Sequence, residues 1–292
     1  MRNFGEMKAL VLEIADNDYK APENMDKDSF IADMLRFMGD TDSVVREGIY
    51  DVICEWSWAD ENALTTEQLR HIIFTCIDDN HLFYGIGETE TDTVFTRSFS
   101  SLALCPCIDQ VDKYNRKGNP FLTKDEISEI PHKVIRYIDQ ERDYRGYVKE
   151  KGWAHSVAHI SDVLKELTFC VDHDGITQIL TAVGQLVSNK ILVYEATEDE
   201  RLADAAIVAL YASCYKGDYF SVKELCDWLK DTFVMVERKV MPDDYNVNAN
   251  RKAFIKSMYA KTMTDSDLRE NEEIFKQFHD CLFEIVTELF AD

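Results

Sequence analysis

The chain has 292 residues, with 32 Lys plus Arg against 55 Asp plus Glu, so its formal charge is −23. Eleven Gly and five Pro are few chain-breakers. With 46% hydrophobic and 30% charged residues, they describe a helical chain able to bury a core and exclude collagen-like, low-complexity and disordered classes. A net negative field repels phosphate backbones and anionic lipid, so neither nucleic acid nor membrane is an expected partner. The nearest basic group, Arg251, Lys252, Lys256 and Lys261, fits a solvated helix face.

Periodicity predicts helices over 4–15, 27–38, 42–58, 66–79, 92–105, 124–139, 152–169, 174–188, 198–214, 222–237, 249–263 and 266–290. Glu6, Glu13 and Asp16 interrupt the first of these, so no secretory core follows the initial Met. The longest strongly apolar run, 205–215, is shorter than the roughly 18 residues a membrane span needs. A cytoplasmic protein is therefore expected. Capping boxes are expected at Thr65–Gln68, Thr123–Glu126, Thr197–Glu200 and Ser221–Glu224, because a hydroxyl and a carboxyl or amide three residues apart satisfy each other's backbone amides. Trp56 and Trp58 read as packing residues. Lys190 to Tyr194 is the nearest approach to a strand. Longer connections fall near 80–91, 106–122 and 140–151, and no linker rich in Gly, Pro or Ser marks a domain boundary.

Eight cysteines stand at 54, 76, 105, 107, 170, 214, 226 and 281 without a Cys-x-x-Cys pair, and all are expected to be reduced thiols. The loop Gly85–Asp92 carries three acids, which suit a solvated loop or a cation and repel phosphate. Arg97 is expected to pair with Asp92.

A weak period of about 50 residues links Asp42 to Arg46, Asp92 to Arg97, Asp143 to Arg145 and Asp199 to Arg201, each near the second helix of a predicted pair. Acids and guanidinium groups in such phase suit an all-α, HEAT- or armadillo-like array of antiparallel helix pairs, an α-α superhelix. A single domain over 1–292 follows, with helices 222–290 completing the array.

The most unusual stretch is Glu141 to Asp162. Placed on a helix at about 100° per residue, Trp153, Val157, Ile160, Leu164 and Leu167 form a core stripe. His155, His159, Asp162 and Glu166 share the opposite side, which is expected to open toward a cavity. Two functions follow. In the first, a binding module captures a protein or small ligand in a polar groove built from Asp143, Arg145, Trp153, His155, His159 and Asp162. Arg46, Arg97 and Arg201 converge on it, with Arg145 contacting an anion or carboxylate and Trp153 as packing anchor; no cofactor is needed. In the second, His155, His159 and Asp162 ligate a divalent metal such as zinc, and Glu166 or Asp143 serves as general base of a hydrolase. Ser156 stands where a zincin-type site would have Glu.

The runs Arg142-Asp-Tyr-Arg-Gly-Tyr147 and Gly152-Trp-Ala-His-Ser-Val-Ala-His-Ile-Ser-Asp162 resemble the bacterial family known as domain of unknown function 2785. Thr91–Ser100 and Asp42-Ser-Val-Val-Arg46 fit the same pattern. The resemblance spans roughly residues 27–215. It implies a helical, HEAT-like fold and assigns no activity.

Overall fold

The computed structural model describes residues 1–59, 64–212 and 220–289. The expected helix end at 213–214, Cys214 and residue 290 lie outside them. Among the described residues the fold is all-α apart from one two-stranded hairpin. No described helix is long and apolar enough to cross a membrane. The chain divides into two compact units, Met1–Val163 and Leu164–Asp292.

The first unit contains α1 (Phe4–Asp16), α2 (Lys27–Phe37), α3 (Ser43–Trp58), α4 (Thr66–Cys76), α5 (Thr93–Arg116) and α6 (Lys124–Gln140). The hairpin β1 (Tyr147–Val148) and β2 (Gly152–Trp153) follows, and α7 (Ser156–Thr168) opens here and crosses the unit boundary. The helix starts are written in local sequence. Asp42 accepts from the amides of Val44 and Val45, and reciprocal boxes form at Asn3, Thr65 and Thr123. In the core α3 packs on α1, α2 and α5, and α4 on α2 and α5. Trp56 is buried there and donates to Tyr19 O at 2.7 Å. Trp58 is not a packing residue: it is exposed and donates to Asp109.

α5 runs eleven residues past its expected end, straight through Pro106. A proline removes one helical hydrogen bond, and burial of Leu102, Ala103, Leu104, Cys107, Ile108 and Val111 around it outweighs that loss. The expected loop over 106–122 is correspondingly short.

The second unit holds α8 (His173–Val187), α9 (Glu198–Ala212), α10 (Val222–Thr232), α11 (Asp243–Thr264), α12 (Ser266–Glu270) and α13 (Glu272–Leu289), with α11 packed on α8, α9, α12 and α13. The box at Ser221 forms. The one expected at Thr197 does not, because Thr197 sits at φ +67, away from the extended geometry a cap requires. The Glu198 carboxylate accepts from Ala196 N instead. α10 ends at Thr232 rather than 237, α11 begins six residues before the expected 249, and the last expected helix breaks at Asn271, which caps Ile274 N. Residues 190–194 form no strand. Cys226 and Cys281 form a disulfide joining α10 to α13, so the expectation of uniformly reduced thiols fails for this pair. Their separation of 55 residues leaves no local spacing signal.

Candidate functional site

The expected site segment begins where α6 stops, and its geometry is set by three arginines. Arg97 and Glu141 are both buried and form a fork: Nε donates to Oε2 at 2.6 Å and Nη2 to Oε1 at 2.9 Å. Arg97 Nη1 donates to Tyr84 O, Gly85 O and Thr93 Oγ1 at 2.9–3.1 Å. The cation gripped by the Gly85–Asp92 loop is thus the chain's own guanidinium. Burial opposes its charge, but the hydrogen bonds and field of Glu141 prevail and raise its pKa. The expected Arg97–Asp92 pair is replaced, since Asp92 caps no helix with its side chain and binds Lys151 Nζ at 2.6 Å. Glu141 also accepts from Arg142 N and Asp143 N at 2.8 and 2.9 Å.

Asp143 and Arg145 form the second pair, with Nε to Oδ1 at 2.8 Å and Nη2 to Oδ2 at 2.6 Å. Asp143 also accepts from Glu90 N, and Arg145 donates to Thr91 O. The hydrogen bonds of Asp143 raise the Arg145 pKa. The carboxylate that Arg145 meets here is that of its own neighbour, Asp143.

Residues 147–153 are a hairpin where a loop is expected as far as 151 and a helix from 152. Tyr147 pairs with Trp153 and Val148 with Gly152, and Lys151 N closes the turn on Val148 O. Gly152 has φ +83, and a Cβ there would lie 3.0 Å from Ser43 Cβ and 3.1 Å from Arg46 Nη2. Only glycine lets this strand approach α3 so closely. Arg46, fully buried, donates to Asp40 O and Lys151 O at 2.6 Å and lies over Phe95 and Phe99 at 4.2 and 4.7 Å. Burial lowers its pKa, and carbonyls and ring faces take the place of a buried counter-ion.

His155 has φ +51 and ends the hairpin. The single rod expected over 153–167 therefore does not exist; the helix begins at Ser156. Trp153, expected on the core stripe, is 39% exposed, whereas Val157, Ile160, Leu164 and Leu167 are buried as expected. The imidazole side is buried rather than turned to solvent: His155 and His159 are 8% and 6% exposed. Five rings instead make a series from surface to core. Tyr147 meets Trp153 edge-to-face at 5.1 Å, Trp153 stacks on His155 at 4.1 Å, His155 meets His159 at 5.7 Å, and His159 meets Phe99 at 5.0 Å.

Ser98 touches His159 Nδ1 at 2.7 Å and donates its one hydroxyl proton to Ala154 O. His159 Nδ1 is then the donor to Ser98 Oγ. A serine whose proton is committed to a carbonyl and whose histidine faces it as donor is a positioned polar contact, not an activated nucleophile. Among the described residues no three His, Cys, Asp or Glu side chains gather as a metal-binding group. Asp162 and Glu166 are half-buried on α7. Glu166 and Arg201 belong to the second unit.

Sequence reasoning missed Glu141 and Tyr147. The first is 44 residues from its arginine; the second would have followed from recognising Gly152 as the far side of a turn.

A family model described as Protein of unknown function (DUF2785) matches residues 82–260. No curated protein and no solved structure matches the chain. The match takes in the whole of 141–162, starts well after Asp42 and Arg46, and continues past 215.

Proposed function

Because the chain belongs to the DUF2785 family, whose description carries no activity, we propose its function from the geometry: a binding module whose recognition surface is the hairpin bearing Tyr147 and Trp153. One observation carries this reading. Trp153 keeps 39% of its surface exposed while one face is stacked on His155 at 4.1 Å, and Tyr147 beside it is 63% exposed. Such aromatic groups, held rigid before a partner arrives, are the residues that dominate binding surfaces, because little side-chain entropy remains to be lost. Arg46, Arg97 and Arg145 act by fixing the backbone beneath, and His155, His159 and Asp143 support the surface from below.

The scaffold, in this reading, is a HEAT-like array of helix pairs. Its support is the succession of closely capped helices; the Asp–Arg recurrence lends none, since Arg46 and Arg97 find partners other than Asp42 and Asp92. The partner is a protein or small ligand rather than nucleic acid, in keeping with a charge of −23. A cytoplasmic site of action keeps the support of free thiols at Cys54, Cys76, Cys105, Cys107 and Cys170 and loses that of Cys226 and Cys281.

The test is quantitative affinity capture from the source cell with wild type, Trp153→Ala, Tyr147→Ala and, as control, Trp58→Ala, another exposed tryptophan. At least one captured component should fall several-fold in the first two variants and persist in the control. Identical recoveries for all four chains overturn the proposal. Elemental analysis of the same untagged protein addresses the metal-dependent alternative: one equivalent of zinc, lost on replacing His155 and His159, would favour it.

A further inference from the structure

A cleft of about 360 Å³ lies between the end of α2, the turns that follow α4, and α5; none of its lining residues belongs to the 147–153 hairpin. That size falls within the range of small-molecule sites. Its walls are tied to one another. Gly39 packs so closely on α5 that a Cβ there would lie 2.6 Å from Thr96 Cα. His81 reaches Asp78 Oδ1 through Nδ1 at 2.8 Å and Leu35 O through Nε2 at 3.3 Å, which holds the turns against α2.

Besides His81, the charged side chains that line the cleft are Arg36 and Asp40. Arg36 and Arg2 share the single carboxylate of Asp33, at 3.0 and 2.9 Å, so this group carries one positive charge in excess. Arg36 uses Nη2 for Asp33 and for Arg2 O, and its guanidinium lies over Phe37 at 4.2 Å. Its Nε and Nη1 donors make no bond among the described residues. Asp40 accepts from Asp42 N at 2.9 Å and forms no ion pair among the described residues, with Arg36 or any other. It stands just past the end of α2, where the partial negative charge of the helix adds to its own. Asn80, Tyr84 and Thr96 line the same cleft with an amide and two hydroxyls that have no hydrogen bond among the described residues.

We infer that this cleft binds a free α-amino acid as its zwitterion, the ligand's carboxylate meeting Arg36 and its ammonium meeting Asp40. A simple anion such as phosphate is attracted by Arg36 and repelled by Asp40, and a simple cation meets the reverse. A small ligand that bears both charges makes a charge-assisted hydrogen bond at each end. The amide and hydroxyls complete the polar contacts. Leu35 and the rings of Phe37 and Tyr84, the latter 48% exposed, leave apolar surface for a side chain such as that of leucine or phenylalanine. The site stands apart from the Tyr147–Trp153 surface and does not need a partner there.

The probes are L-leucine and L-phenylalanine, titrated into the full chain up to about 10 mM and followed by saturation-transfer NMR. Saturable binding of at least one is expected. The N-acetylated forms, which lack the ammonium, and the primary amides, which lack the carboxylate, should each bind at least about tenfold more weakly. Asp40→Asn and Arg36→Gln should lose affinity to a similar extent, whereas Trp153→Ala, on the hairpin, should bind as wild type does. The blocked ligands leave the protein intact, so a misfolded variant cannot decide the matter. No saturable binding of either amino acid, equal binding of free and blocked forms, equal binding of the neutral polyol glucose, or wild-type affinity in both cleft variants would each overturn the inference.

Discussion

Arg97→Met removes the cation that the 84–93 loop and Glu141 are built around, and its effect can be worked out from the contacts. Six hydrogen bonds vanish: two to Glu141, three to the carbonyls of Tyr84, Gly85 and Glu88, and one to Thr93 Oγ1. Glu141, buried, keeps only the amides of Arg142 and Asp143. Breaking a buried pair from one side costs about 3–5 kcal/mol, because the remaining charge is left without a counter-charge. Replacing both residues, as Arg97→Met with Glu141→Met, leaves no orphan charge and should cost no more than either single change. Urea unfolding read by hydrogen exchange in peptides covering 93–116 and 141–155 isolates this unit. A loss below about 1 kcal/mol, or a double variant less stable than the single one, would refute the reasoning.

Gly39→Ala should destabilise by about 2 kcal/mol or more, since its Cβ would fall 2.6 Å from the Thr96 backbone; unchanged urea unfolding would count against the close α5 contact. The Lys8 hydrogen bond, with the amides of Val44 and Val45, holds the Asp42 carboxyl below its ordinary value. Its stabilisation is present at neutral pH and is lost as pH falls through the acid range below about 4. Asp42→Asn, which keeps the cap, should therefore be less stable than wild type at pH 7 and equal to it near pH 2. Non-reducing peptide mapping should join Cys226 to Cys281, and dithiothreitol should lower the melting temperature of wild type but not of Cys226→Ser. Closing a loop of 55 residues sets an upper bound of about 4 kcal/mol on that effect. Burial pushes the Cys107 thiol up to about 12 and Cys54 up to about 11, so neither should alkylate in the native protein at pH 8; rapid labelling of Cys107 would contradict its burial.

What could be read from the sequence is what is decided within one or two helical turns. Thr65 with Gln68, Thr123 with Glu126 and Ser221 with Glu224 announce their helices because both partners of each box lie inside four residues. The same holds for the apolar stripe of α7, where the 100° projection succeeds from Val157 onward. It fails one residue before Ser156, because nothing in the side chain of His155 signals φ +51, and Glu150 at φ +67 occupies a turn position where glycine or asparagine would have been the clue. The first six residues of α11, 243–248, stay hidden for the opposite reason. Its asparagines oppose a helix locally and favour it only through Lys190, Leu192 and Val236, far away in sequence.

The arginines show why the candidate site was half legible. Arg46, Arg97 and Arg145 were singled out by a recurrence with nearby acids, and all three are structurally central, yet only Arg145 takes the acid expected of it. The others hold backbone carbonyls: Asp40 and Lys151 for Arg46, Tyr84 and Gly85 for Arg97. A guanidinium offers five donors in a rigid fork, so a buried arginine can satisfy the unpaired carbonyls of a loop that no helix or sheet would accept. Carbonyls belong to every residue and leave no trace in composition or spacing. A buried arginine in a helical chain therefore marks where an irregular loop is pinned: Arg97 pins the loop at 84–88, and Arg46 pins the hairpin that displays aromatic rings to solvent.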